Sequence, residues 1–256
     1  MAIRRGAADP WLPFCMTKAR RRVRLFCFHH SGGGASAFRR WSDDLPEDIE
    51  VWPVQLPGRE TRLQERPFTR MTPLVQALAL ALRPHLNQPF AFLGHSMGSY
   101  IAFEVARLVR KDVRLEPIHL FVAGHQAPQL GRRLTAVHDA PEDALMERIR
   151  LLAGTPDEVL QQRELMQIML PIIRADLELI ETYEYAPQEP LSCPISVFWT
   201  RQDFVAGERE ANAWSAQTSG AFRMRELEGD HFFVHSARPA IQRAVCDDLK
   251  ATLGEG

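Results

Sequence analysis

Phe90-Ala91-Phe92-Leu93-Gly94-His95-Ser96-Met97-Gly98-Ser99-Tyr100-Ile101 is the stretch whose reading decides the fold. Phe90–Leu93 is a short apolar run of strand character, and Ser99–Lys111 has helical periodicity. Between them lies Gly-His-Ser-Met-Gly, a G-x-S-x-G motif in the strand–turn–helix setting of a nucleophile elbow. The sharp turn lifts a serine hydroxyl clear of the sheet. Side chains at the flanking glycines would collide with the neighbouring strand and helix. The helix start adds free N–H groups and a positive dipole end beside the hydroxyl.

Outward from the elbow, strands and helices alternate. Val23–Phe28, Glu50–Val54, Ile118–Ala123, Ile195–Trp199 and Phe222–Leu227 read as further strands. Met71–His85, Met97–Lys111, Phe204–Thr218 and His235–Leu253 read as helices. Strands separated by helices imply right-handed crossovers and an α/β fold with a mostly parallel central sheet. From about 141 to 185 the alternation stops and helical patterning continues without a strand. One crossover needs a single helix, so this stretch reads as a helical lid insertion, with Pro171 expected to break or kink it. Leu152, Met166, Met169, Leu170 and Ile173 are the expected lining of an apolar chamber under it. Residues 1–22 read as a solvated leader, with Trp11–Phe14 able to dock and Lys18–Arg22 forming a basic run. The remainder, 23–256, reads as one domain.

Composition narrows the function. The 256 residues hold 31 Lys plus Arg against 32 Asp plus Glu, a net charge of -1. That argues against a nucleic-acid or anionic-membrane binder. Only three of the basic residues are lysine, a bias that fits a GC-rich coding genome. Cys15, Cys27, Cys193 and Cys246 lack metal-ligand or disulfide spacing, and no apolar run is long enough for a membrane span. Arg4 and Arg5 precede no signal-type apolar region. A cytoplasmic, monomeric protein without metal or cofactor is expected.

Ser96 needs a base, and in this architecture the partners follow in the order Ser, acid, His. His231 lies in Glu228-Gly229-Asp230-His231-Phe232-Phe233, just past the last strand, whereas His235 reads as the start of the final helix. Asp203 follows the preceding strand and is the expected acid. Asp230 and Asp176 are its rivals, and a helix-capping role for Asp203 is open. Two N–H groups should form the oxyanion hole. Met97 supplies one, and the loop His29-His30-Ser31-Gly32-Gly33-Gly34 the other, from Ser31 or else Gly32. That loop lacks the pattern of a phosphate or dinucleotide site.

With these residues in place the chain resembles type II thioesterases, stand-alone editing hydrolases of nonribosomal peptide and polyketide synthesis with an α/β-hydrolase fold. The resemblance rests on Phe26–Gly33 with Phe38 and Trp41, on Gln55-Leu56-Pro57-Gly58-Arg59-Glu60 with Arg62, and on the elbow. It also rests on Leu170-Pro171 with Arg174-Ala175-Asp176 and Tyr183, and on Gly229–Phe233. The family commonly has Pro-His-Ala-Gly-Gly where His29-His30-Ser31-Gly32-Gly33 stands, and glycine where Thr200 stands. The resemblance implies acyl thioesters on the phosphopantetheine arm of acyl or peptidyl carrier proteins, in antibiotic or siderophore biosynthesis. It implies Ser96, Asp203 and His231 as catalytic residues, Met97 and Ser31 as oxyanion donors, and His30, Gly32, Met169 and Ile173 as substrate contacts. Arg59 and Glu60 are expected to brace the loops as an ion pair. Arg59 or Arg62 meeting the carrier is the alternative. A medium-chain fatty acyl thioesterase, a carboxylester hydrolase or lipase, and a non-catalytic carrier-binding protein are the rival readings.

Overall fold

The computed structural model describes residues 9–15, 22–152 and 160–254. Strands β1 (Val23–Phe28), β2 (Ile49–Pro53), β3 (Phe90–His95), β4 (His119–Ala123), β5 (Ile195–Thr200) and β6 (Phe222–Leu227) form one sheet in the order β2-β1-β3-β4-β5-β6. Every pairing in it is parallel. Successive side chains of a strand leave opposite faces, and the core divides accordingly. Phe26, Phe28, Phe92, Leu120 and Val122 face helices α1 (Met71–Leu82) and α2 (Met97–Val113). Leu25, Cys27, Leu93, Phe121 and Phe198 face Trp41 and helix α5 (Arg238–Thr252). Both faces are covered, so the central strands are buried along their whole length and largely apolar. Edge strand β6 has no fully buried residue, and its Arg225 forks onto Asp248 of α5 at 2.6 and 2.7 Å.

Between β4 and β5 lie helices α3 (Glu142–Leu151) and α4 (Arg163–Glu181), which share a small core with Val137, Leu145, Ile149, Met166 and Leu177. The helical insertion is therefore present; residues 153–159 of it lie outside the described residues. Pro171 does not break α4. Its missing N–H leaves the Gln167 carbonyl without its helical donor, but both residues are exposed, so water can satisfy that carbonyl.

Two helix readings change. The stretch expected to start at Phe204 becomes helical only at Glu208, because the Asp203 carboxylate accepts the Val205 N–H at 2.8 Å and bends the chain first. The final helix starts at Arg238, with Pro239 in its first turn, after a single turn over Phe233–Ser236. The solvated-leader reading also fails for residues 9–15. Leu12 is buried in the core, the Gln55 N–H donates to the Trp11 carbonyl at 2.8 Å, and Arg62 stacks on the Trp11 ring. Arg4, Arg5 and Lys18–Arg21 lie outside the described residues.

The elbow is pressed against β1. A Cβ on Gly98 would lie 2.1 Å from the Phe28 carbonyl oxygen, and one on Gly94 would lie 2.2 Å from the Gly98 carbonyl oxygen. Gly98→Ala should therefore lower stability by roughly 2–3 kcal/mol or more, a fall in Tm of at least about 5 °C by calorimetry. An unchanged Tm would mean that α2 and β1 are not in contact here.

Candidate active site

The sheet order reverses between β1 and β3, so the loops after these two strands diverge from a crevice at their carboxyl ends. The β1 loop is the His29–Gly34 stretch, and the β3 loop is the elbow. Ser96 sits there with φ +53° and ψ −121°, a strained backbone for a residue with a side chain. Its N–H donates to the Ala123 carbonyl at 2.8 Å, and the Ser99 hydroxyl donates to the Gly94 carbonyl at 2.9 Å. Bonds on both sides of the turn thus hold the strained residue.

Three side chains from three loops converge on one line. The Ser96 hydroxyl lies 2.9 Å from His231 Nε2, and His231 Nδ1 lies 3.0 Å from both oxygens of Asp203. With Nδ1 donating to the carboxylate, Nε2 is left to accept from the serine. Asp203 itself is fixed by the bond from Val205 N–H and by its own N–H, which donates to the Thr200 hydroxyl at 3.1 Å. Thr200 thus braces the turn. Of the rival acids, Asp230 caps the Phe232 N–H at 2.8 Å and Asp176 is engaged by Arg59.

His95 joins this group, a part that its place in the motif did not announce. Its Nε2–H donates to the His231 carbonyl at 2.8 Å, while its Nδ1 is buried without a partner among the described residues. Burial pushes its pKa well below the usual value, so the ring stays neutral and holds the His231 backbone.

Met97 N–H in the elbow and Ser31 N–H in the β1 loop donate to no group among the described residues, whereas Gly32 N–H donates to Asp176 at 2.8 Å. The Gly32 alternative for the oxyanion hole is thereby engaged elsewhere. The expected Arg59–Glu60 pair does not form. Arg59 pairs with Asp176 at 2.6 Å, and Glu60 instead accepts from the Ser36 N–H and hydroxyl. Arg62 pairs with Glu65 at 2.6 Å.

A cavity of about 560 Å³ opens over Ser96 and His231, walled by Tyr100, Leu152, Leu177, Ile180 and Tyr183 and by the 128–134 loop. Leu152 is where the sequence placed it; the other expected lining residues are not. Met166 is buried in the insertion core, and Leu170 and Ile173 pack on that core. Met169 and Gly32 line a second cavity of about 650 Å³ on the far side of the β1 loop. Ile180 is eleven residues beyond Met169, about 16 Å along the helix. The first half of α4 therefore covers the glycine loop, and only the second half reaches the serine. His30 lines both cavities; His29 lines neither and fills space behind the loop.

A family model described as a thioesterase domain matches residues 23–252. The chain belongs to the thioesterase family. The gramicidin S biosynthesis protein GrsT of Aneurinibacillus migulanus is 40% identical over 245 residues, with 96% of each chain covered. The structure of RedJ, a thioesterase from the prodiginine pathway of Streptomyces coelicolor, matches with TM-score 0.83 and 39% identity, covering 89% of this chain and 85% of that one. BorB, a type II thioesterase from the borrelidin cluster, matches with TM-score 0.83 and 33% identity, covering 91% and 94%. No helix among the described residues of this thioesterase is long and apolar enough to cross a membrane.

The histidines around the thioesterase site carry a pH signature. Burial pushes His30 and His125 down to about 4, and His29 well below its usual value. Such rings take protons more readily in the unfolded chain, whose histidines titrate near about 6.5. Stability should be full above about pH 6.5 and fall as pH drops toward 4, by on the order of 1–3 kcal/mol per ring. Urea midpoints across that window measure it. His125→Gln should flatten the slope, and a slope unaffected by that change would contradict the assignment.

Proposed function

We propose that the chain is a serine hydrolase that cleaves acyl thioesters from the phosphopantetheine arm of carrier proteins, editing or releasing aberrant acyl groups in nonribosomal peptide or polyketide synthesis. The observation that carries this reading is the hydrogen-bonded line Ser96–His231–Asp203 at the base of a cavity walled in part by Leu152, Leu177 and Ile180. The similarity to GrsT, RedJ and BorB supports the substrate class.

In the reaction, Ser96 Oγ attacks the thioester carbonyl while His231 Nε2 takes its proton. Asp203 holds the imidazole tautomer and stabilises the imidazolium. Met97 and Ser31 N–H receive the developing oxyanion. Collapse breaks the C–S bond, and the thiolate takes the proton from His231 as it leaves. Water, deprotonated by His231, then attacks the acyl-enzyme, and the acid departs with Ser96 restored. These steps use side-chain and backbone groups of this chain alone. The acyl group lies along Ile180, Leu177 and Tyr183, and the arm reaches Ser96 past His30. A carrier protein is the expected partner, and a cytoplasmic monomer the expected form.

Ser96→Ala and His231→Ala should each lower kcat for an acyl-pantetheine thioester by several orders of magnitude with folding intact. Asp203→Asn should lose about 10³–10⁴, because the imidazole tautomer is spoiled. Near-normal turnover in folded Asp203→Asn would remove the acid role from this residue.

Ile180→Trp should shorten the acyl-chain preference, lowering kcat/KM for long chains more than for acetyl. The same change at Met169 should leave the profile unaltered. Steady-state kinetics over a chain-length series would test this, and an unchanged profile in Ile180→Trp would place the acyl group elsewhere. Acyl-carrier substrates should exceed matching free thioesters in kcat/KM, since remote contacts lower the barrier.

A further inference from the structure

The Pro57–Arg62 segment and the Arg174–Asp176 segment are both prominent in the sequence, yet neither lines up with the reacting atoms. The structure joins them. Arg59 Nη1 and Nη2 fork onto the two oxygens of Asp176 at 2.6 and 2.8 Å, with both side chains almost fully buried. The same carboxylate accepts the Gly32 N–H at 2.8 Å. Arg59 also donates from Nε to the Pro57 carbonyl at 3.2 Å and from Nη1 to the Gly33 carbonyl at 3.4 Å. Three segments distant in sequence, the β1 loop, the loop after β2 and helix α4, are thus tied at one carboxylate.

The loop has little freedom left to find its own shape. Gly32 has φ +74°, and a Cβ there would lie 2.8 Å from Ile173 Cγ1. The carboxylate holds the Gly32 N–H toward α4, and Arg59 holds the Gly33 carbonyl. The peptide N–H just before, that of Ser31, stays without a protein partner among the described residues. A loop of glycines would otherwise sample several conformations, and an oxyanion donor must be preset to be effective.

We infer that Asp176 and Arg59 are positioning residues for the reaction: they fix the β1 loop so that Ser31 N–H, rather than Gly32 N–H, faces the oxyanion. This rests on the thioesterase mechanism proposed above. It makes helix α4 part of the catalytic scaffold as well as a wall of the cavity.

The test must separate positioning from folding, because removing one charge alone leaves the other buried and unpaired. Two double variants do so. Arg59→Met with Asp176→Leu removes both charges and the acceptor for Gly32. Arg59→Gln with Asp176→Asn removes both charges and keeps a carbonyl acceptor at the same place. The readouts are Tm, kcat and KM for an acyl-pantetheine thioester, and Ki for an acyl trifluoromethyl ketone. The ketone forms a hemiketal with Ser96 and places an oxyanion where the intermediate has it.

The first variant should lose about 10- to 100-fold in kcat with KM nearly unchanged, and its Ki should rise by the same factor. The second should recover most of that loss. Wild-type kcat and Ki in the folded first variant would overturn the inference. So would equal losses in the two variants, or losses that merely follow the folded fraction. If the parent chain hydrolysed no acyl thioester, the functional reading would fail, while the Ki comparison would still decide the role of the pair.

Discussion

The contact on which this structure depends is the one between the helix that follows Ser96 and the carbonyl of Phe28. With no side chain at residue 98, α2 can lie against the end of β1, and the chain can reverse within one residue. That residue accepts a positive φ because Ala123, Ser99 and the two glycines leave it no alternative. The strain is local, and the stability that maintains it comes from the cores on both faces of the sheet. Once β1 and β3 are fixed side by side, the glycine-rich β1 loop and Ser96 are neighbours by topology. The base and the acid need only arrive from the ends of β6 and β5.

Most of that framework was legible in the chain because it is written in short-range signals. The six strands are runs of apolar residues between turn signals, and the elbow combines a motif with its setting. The order of Ser96, Asp203 and His231 followed from the strand sequence. What escaped was encoded between distant residues. Arg59 and Glu60 are adjacent and opposite in charge, so a local pair was the natural reading. The partner is Asp176, 117 residues away, because the β1 loop brings α4 and the β2 loop together. Asp203 ends the local helix signal by capturing Val205, a competition that periodicity does not register. In α4 the apolar stripe was recognised, but not which half of it stands over the serine. That depends on where the helix axis crosses the sheet.

Polar groups deep in the site are handled in two ways. Asp203 and Asp176 each accept several hydrogen bonds from neighbouring donors. The rings of His29, His30, His95 and His125 are kept neutral by burial instead. The crevice therefore concentrates hydrogen-bonding groups without accumulating positive charge beside the imidazole that must become cationic.

The scarcity of lysine takes on chemical meaning at the cavity wall. The cations there are Arg132, Arg133 and Arg148, and no lysine or cysteine is among the described residues that line it. A guanidinium stays protonated at any ordinary pH, whereas an amine or a thiol has a nucleophilic form within reach of neutrality. An activated acyl group resting against an amine would be lost to amide formation, and against a thiol it would migrate by exchange. Cations that are all arginine can attract anionic groups without themselves being acylated. The guanidinium groups of the wall thus offer the acyl group no acceptor that competes with Ser96.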